Sequence, residues 1–488
     1  MQHTEIDVSR FGTPRIGGKT DEEQTFLDRL LAVVPSPRQR AHGKLAYYSF
    51  IHFGMNTMTN REWGTGDEPE ALFAPPAVDT DQWCRVLKES GSRGVILTAK
   101  HHDGFCLWDT KTTTHSVMHA PYGKDVFAQL RDSCDKYGLQ LGVYLSPWDR
   151  NAACYGTEDY NDFFVAQLTE LCSNYDDLFE VWFDGACGEG KNGKKQRYDW
   201  GRYYATVRAL QPDAVIAVCG PDVRWIGNEG GSVRESEWSV VALPAVLAEM
   251  ETAQPVAAAE SFDRCGPDLG SRDALQNEAN LCWNPAEADV SVTTGWFYHS
   301  RWYYFFRKKR TARQLAEIWF NTVGGNASLL LNVPPNKKGE ISRREQRTLW
   351  RWKQMIDAPF AFPLDASLAL LTEDNRVSDD ETVQALAGGK TLQFPAGAFV
   401  LRLRFPQPER VGALVLAEDL AFSQRVERFS VWAEDKNGAL QRIAQATVIG
   451  SKKILRFARP VKTSTLYVVI EQARGEPALC LCRAFRHS

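Results

Sequence analysis

Apolar residues follow two different rhythms along this chain, and the change between them falls near Ala358–Pro363. Before it, short apolar, β-rich runs recur at Leu45–Phe53, Gly94–Ala99, Leu139–Leu145, Leu178–Asp184, Ala214–Val218, Val256–Glu260, Asp289–Val292 and Ala327–Leu331. The gaps carry stretches with the period of an amphipathic helix, at Thr80–Gly91, Asp125–Tyr137, Glu158–Tyr175, Trp200–Gln211 and Ala312–Thr322. Strands alternating with helices predict an α/β fold, and eight of them predict a (β/α)8-type, TIM-like barrel. An open, doubly wound sheet shares the same periodicity.

Past the boundary, helical periodicity gives way to alternating segments at Thr391–Phe394, Phe399–Phe405, Val411–Ala417, Phe429–Ala433, Gln441–Ile449 and Ser464–Glu471. Turn residues such as Asp435–Gly438 separate them, which predicts an all-β sandwich. The expected organisation is a catalytic barrel over residues 1–357 with a helical extension at its start, then a C-terminal sandwich over residues 364–488. The extension begins at Thr20 or Asp21 and stops near Pro35–Pro37, with Gln24 three residues after Asp21 as in a helix start.

Composition narrows the function. The chain has 488 residues, enough for two domains, and 43% of them are hydrophobic. A net charge of −4 gives no long-range pull on a polyanion, so no nucleic-acid partner is expected. No run reaches the length of a membrane span. Residues 1–18 are polar and carry no secretory pattern, and the 11 cysteines are odd in number and scattered. These features fit reduced thiols in a cytoplasm.

In a barrel of this type the site forms at the C-terminal ends of the strands. There the chain places His52, then Glu62 and Trp63 in the following loop, His101 and His102, Tyr144, and Trp182 with Asp184. After the fifth strand come Glu229, Glu235 and Glu237, and further on Trp296. Imidazoles and carboxylates bond hydroxyls, and indoles cover an apolar ring face, so this rim suits a small neutral polar molecule such as a sugar. Glycoside cleavage needs two carboxyl groups. Asp184 at its strand end suits the nucleophile, although an aspartate there also suits a helix cap. Glu229, between glycines on a loop, suits the acid, with Glu235 and Glu237 as alternatives. His101 and His102 also open a metal reading, with His52 and Asp184 as further ligands. Adjacent residues on a strand point to opposite faces, however, and no His-x-His pair is present.

The run His101-His102-Asp103-Gly104-Phe105 with Leu107-Trp108-Asp109 resembles glycoside hydrolase family 29, the retaining α-L-fucosidases. So do Ile51-His52-Phe53-Gly54, Glu62-Trp63, Gly142–Ser146 and Trp182–Asp184. The likeness covers roughly residues 40–360, and the trailing sandwich also fits the family plan. It implies that Asp184 attacks the anomeric carbon of fucose. It also implies that His52, Glu62, Trp63, His101, His102 and Tyr144 line the fucose pocket, while Trp182 and Trp296 flank its apolar face. The Gly-Asn-Glu-Gly segment resembles the branch that prefers α-1,3/1,4-linked fucose, which implies Glu229 as acid/base. No cofactor or metal is implied, and the partner is a fucosylated oligosaccharide or glycoconjugate. The competing readings are a metal-dependent barrel hydrolase and a non-catalytic protein that binds fucosylated glycans.

Overall fold

The computed structural model describes residues 6–243, 266–300 and 309–487. Its first unit is an eight-stranded parallel sheet curled into a nearly closed barrel. The strands are β1 (Tyr47–Ile51), β2 (Gly94–Lys100), β3 (Gln140–Leu145), β4 (Leu178–Phe183), β5 (Val215–Val218), β6 (Arg224–Trp225), β7 (Ala286–Ser291) and β8 (Ala327–Asn332). They lie in the order β5-β4-β3-β2-β1-β8-β7-β6, and a single bridge between Ala217 and Val223 joins the two ends.

The sixth position corrects the sequence reading. It is filled by β6, a two-residue strand that follows β5 with no helix between them. The expected strand Val256–Glu260 lies outside the described residues. A parallel neighbour normally needs a crossover of a dozen residues. Here the return is tight: Val218 takes φ of +65°, and a side chain on Gly220 would come within 2.4 Å of the Ile216 carbonyl oxygen.

The helices α1 (Thr80–Glu89), α2 (Val126–Tyr137), α3 (Asp159–Asn174), α4 (Trp200–Leu210), α5 (Ala312–Thr322) and α6 (Arg343–Asp357) belong to this unit. Asp79, Asp125 and Asp199 cap α1, α2 and α4 through a backbone N–H, and Thr311 with Gln314 forms a capping box on α5. Gly138, in the left-handed region, ends α2.

Strand alternation divides the barrel into two interiors. Tyr47, Ile51, Val181, Phe183 and Val290 pack outward in the core shared with the helices. Tyr48, Phe50, Tyr144, Trp182 and Leu330 pack together in the bore. By the same alternation Glu180 joins Trp182, and Glu287, Asp289 and Ser291 form the inward row of β7.

The second unit is antiparallel. Its strands are β9 (Ser367–Thr372), β10 (Ala398–Glu418), β11 (Val426–Glu434), β12 (Leu440–Thr447), β13 (Lys453–Ala473) and β14 (Ala478–Arg486). The main path runs β9-β10-β13-β11-β12, with β14 on the second half of β10. The segments expected at Phe399–Phe405 and Val411–Ala417 are halves of one 21-residue strand, β10. Its register with β13 shifts between Arg404 and Glu409, next to the exposed Pro406 and Pro408. Leu401 and Leu403 from one half and Leu414 and Leu416 from the other share one core, so the sheet folds over into a sandwich. The N-terminal segment, expected with the barrel, reaches this unit as well. Arg15–Ile16 pairs with Gln472–Ala473, and Val8 packs against Leu371, Phe399 and Tyr467.

Candidate active site

The upper end of the bore opens into a cavity of about 360 Å³. His52, Trp63, His101, His102, Tyr144, Trp182, Asp184, Glu229 and Trp296 all line it. Glu62 does not: its Oε2 accepts the Trp296 backbone N–H at 2.8 Å, and Oε1 meets His299 Nε2. Glu62 therefore grips the loop that presents Trp296. Gly295 makes room for that grip, since a side chain there would collide with the Glu62 carboxylate.

Asp184 follows β4 directly. Tyr144 donates its hydroxyl to Oδ2 at 2.8 Å, and Ala186 N–H donates to Oδ1 at 2.8 Å. Two fixed donors set the carboxylate's orientation. It is not a helix cap, because α4 begins at Trp200 and is capped by Asp199. Beneath it, Tyr144 stacks on Trp182 at 5.2 Å between ring centroids, and the Trp182 indole donates to Glu287 at 2.8 Å.

The three histidines have assigned hydrogen-bonding roles. Ser146 Oγ donates to the Trp148 carbonyl at 2.7 Å, so it accepts from His102 Nδ1–H at 2.8 Å. Asn332 Nδ2 donates to the Trp296 carbonyl and to Ser291 Oγ, which turns its Oδ1 to accept from His52 Nδ1–H at 2.9 Å. Both rings then keep Nε2 as an acceptor. Asn56 Nδ2 faces His101 Nδ1 at 3.3 Å, which leaves His101 Nε2–H as a donor. Burial holds all three rings neutral: His52 is lowered to about 3, His102 to about 4, and His101 falls well below its ordinary value. The site thus offers both acceptors and a donor to hydroxyl groups.

Glu229 stands at the mouth, partly exposed, on the segment between Gly227 and Gly231, whose φ values are +99° and +74°. Its carboxyl is raised above the ordinary value. Burial contributes most, a bond with Trp296 opposes it, and the charges of Asp184 and Glu62 add to it. The two alternative glutamates lie elsewhere. Glu237 is fully buried and paired with Arg224 and Arg234. Glu235 borders a different surface depression, with Arg15 and Trp238.

Among the described residues, the trio of potential ligand atoms that converges is His42, Glu180 and Glu287, not the cavity histidines. The 2.7 Å contact between His42 Nε2 and Glu180 Oε2 is a hydrogen bond. Glu287 already accepts from the Trp182 indole and the Tyr48 hydroxyl. Burial raises Glu180 to about 8 and lowers His42 to about 4, so the cluster is held by protons in the floor of the bore.

Two residues that the motifs did not single out complete the site. Asn332, at the end of β8, fixes His52 and Trp296 together. Asp289 lines the cavity and accepts from the Trp225 indole at 2.6 Å. The strand run beginning at Asp289 was visible in the sequence, but its inward direction was not.

The profile of the α-L-fucosidase family matches residues 49–355. Alpha-L-fucosidase 1 of Arabidopsis thaliana is 34% identical over 465 residues, covering 91% of this chain and 86% of its own. A solved Bacteroides ovatus protein, provisionally called an α-L-fucosidase, superposes with a TM-score of 0.81 and 39% identity over 98% of this chain and 78% of its own. A glycoside hydrolase 29 family member from an unknown rumen bacterium superposes at 0.75 with 30% identity, over 93% and 78%.

Proposed function

From the premise that this chain belongs to the α-L-fucosidases of glycoside hydrolase family 29, we propose that it releases terminal α-L-fucose by double displacement, with Asp184 as nucleophile and Glu229 as acid/base. The observation that carries the assignment is the shared cavity: Asp184 and Glu229 face it together with three neutral histidines and four tryptophans. Asp184 attacks the anomeric carbon while the bond to the leaving oxygen breaks, and Glu229 gives that oxygen its proton. Glu229 then takes a proton from water, water attacks the same carbon, and Asp184 departs. His52, His101, His102 and Tyr144 bind the sugar hydroxyls, Trp182 and Trp296 cover its apolar side, and Glu62 acts by holding the Trp296 loop.

The substrate is a fucosylated oligosaccharide or glycoconjugate. We assign a preference for α-1,3/1,4 linkages, on the likeness of the Gly227–Gly231 segment to that branch of the family. We infer a reducing, cytoplasmic setting from the odd, scattered set of 11 cysteines.

The decisive test is Asp184→Gly. Turnover should fall by about 10³-fold or more, because the covalent step is lost. Azide or formate should restore part of it by entering the vacated space. Wild-type activity in Asp184→Ala on Lewis-type oligosaccharides would end the assignment. A panel of α-1,2, α-1,3, α-1,4 and α-1,6 fucosides with a simple aryl fucoside tests the linkage preference.

A further inference from the structure

The inward row of β7 descends through the bore as Ser291, Asp289 and Glu287. The outer two have fixed partners: Ser291 Oγ accepts from Asn332 Nδ2 at 2.9 Å, and Glu287 accepts from Trp182 and Tyr48. Asp289 differs. It lines the same cavity as Asp184 and Glu229, and its side-chain bond among the described residues is the Trp225 indole on Oδ1, at 2.6 Å. An indole N–H can only donate, so Oδ1 is committed as an acceptor. No cation pairs with this carboxyl among the described residues. An ionised Asp289 would put an uncompensated charge in an enclosed space that already holds Asp184.

We infer that Asp289 is a third substrate-facing carboxyl, which binds a sugar oxygen as a hydrogen-bond donor. This rests on the fucosidase reading above and adds a binding residue to it. The surroundings agree: burial first, then the charges of Glu287 and Glu229, hold this carboxyl well above the ordinary carboxylate range. A neutral carboxyl has one oxygen to accept from Trp225 and one O–H to give. The histidines supply two acceptors and one donor, so a second donor widens what the site offers a polyol.

The test is the affinity for free L-fucose, read by calorimetry, in the wild type and in Asp289→Asn, Asp289→Leu and Trp225→Phe. Asparagine keeps a carbonyl for the indole and an N–H for the sugar, so Asp289→Asn should bind within about 3-fold of wild type. Leucine has the same shape but no donor, and Asp289→Leu should bind about 10-fold more weakly or worse. If Asp289→Leu melts early, Asp289→Ala serves in its place. Trp225→Phe should lose less than Asp289→Leu. Equal losses in these two would mean that Asp289 only anchors Trp225, and would overturn the inference. So would wild-type affinity in Asp289→Leu. Inactivation by Asp289→Asn with Glu229→Gln still active would make Asp289 the proton donor instead. Asp184→Ala separates the two levels: it should bind fucose without turning substrate over. A wild type that neither binds nor releases fucose overturns the fucosidase reading and this inference together.

Discussion

The bore of the barrel below its cavity and the interior of the sandwich are both buried, yet they are filled with different materials. The sandwich core is Leu368, Leu401, Leu414, Val431, Val468 and their apolar neighbours. Its buried acid at the rim, Glu418, is taken up by the backbone N–H groups of Arg425, Val426 and Gly450 at 2.7–2.8 Å. The bore instead buries Glu180, Glu287, Asp289 and four histidines, whose partners include one another, tyrosine, tryptophan, asparagine and serine. A buried polar group left unpaired costs about 1–3 kcal/mol, and a buried charge costs more. An apolar bore would be the simpler solution for stability, as the usual aliphatic layers of such barrels show. The difference teaches where chemistry was favoured over packing.

The comparison predicts that changes in the bore's upper end alter turnover and leave melting unchanged. The strongest case after Asp184 is Glu229→Gln. General acid catalysis contributes about 10²–10⁴-fold, so the variant should lose that much on an oligosaccharide, whose leaving oxygen needs a proton. It should lose far less on an aryl fucoside with a good leaving group. The pH profile carries a second signature. The acid works only when protonated, and its raised folded-state value keeps it protonated to higher pH than a solvated glutamate. On its alkaline side, wild-type turnover should therefore fall as pH rises through that raised value. In Glu229→Gln this limb should vanish. A Gln variant that keeps both full turnover on oligosaccharide and the limb would mean the acid lies elsewhere.

The reverse behaviour is predicted for the sandwich. Leu414 is completely buried in its core. Leu414→Ala removes packing and leaves a cavity, a loss of about 2–5 kcal/mol. Scanning calorimetry should show an earlier melting transition, while kcat and KM at a permissive temperature should match wild type. A changed kcat would mean that the sandwich supports the cleft and does more than bury its own apolar surface.

Much of this contrast was legible in the chain, and what escaped has physical causes. Strands β1 to β5 read clearly because each is a continuous apolar run, as a strand covered on both faces must be. Asp184, His52 and the histidine pair read clearly because polar residues ending such runs fall on the barrel rim. Strand β6 could not be read, because Arg224–Trp225 is two residues long and follows a loop that strand spacing does not anticipate. Helix α6 was missed because only Leu349, Trp352 and Ile356 carry its apolar seam within a strongly charged segment. Strand β10 was split in two because Pro406 and Pro408 look like a break, although the strand bends through them. Glu62 was placed in the pocket by its motif, yet its carboxylate turns to the backbone of Trp296, a direction that spacing does not encode.

The smallest predicted effect concerns the edge of the cavity, where the contrast between the two interiors fades into surface. Trp63 lines the cavity but is 57% exposed, while the aromatic residues beneath it are buried. Its ring meets His102 and Trp148 edge-on, at 5.8 and 5.7 Å between centroids. In the proposed function it would cover bound sugar from the solvent side, while the groups that orient Asp184 are Tyr144 and the Ala186 N–H. An aromatic contact of this kind contributes about 0.5–1.5 kcal/mol beyond its buried area. Trp63→Ala should accordingly raise KM by about 3- to 10-fold, with kcat within about 2-fold of wild type, in steady-state assays on an oligosaccharide. The melting temperature should not move, since little of the ring is packed into the fold. If turnover instead fell by about two orders of magnitude at unchanged KM, Trp63 would belong to the reacting machinery, and the functional interior would extend to the surface.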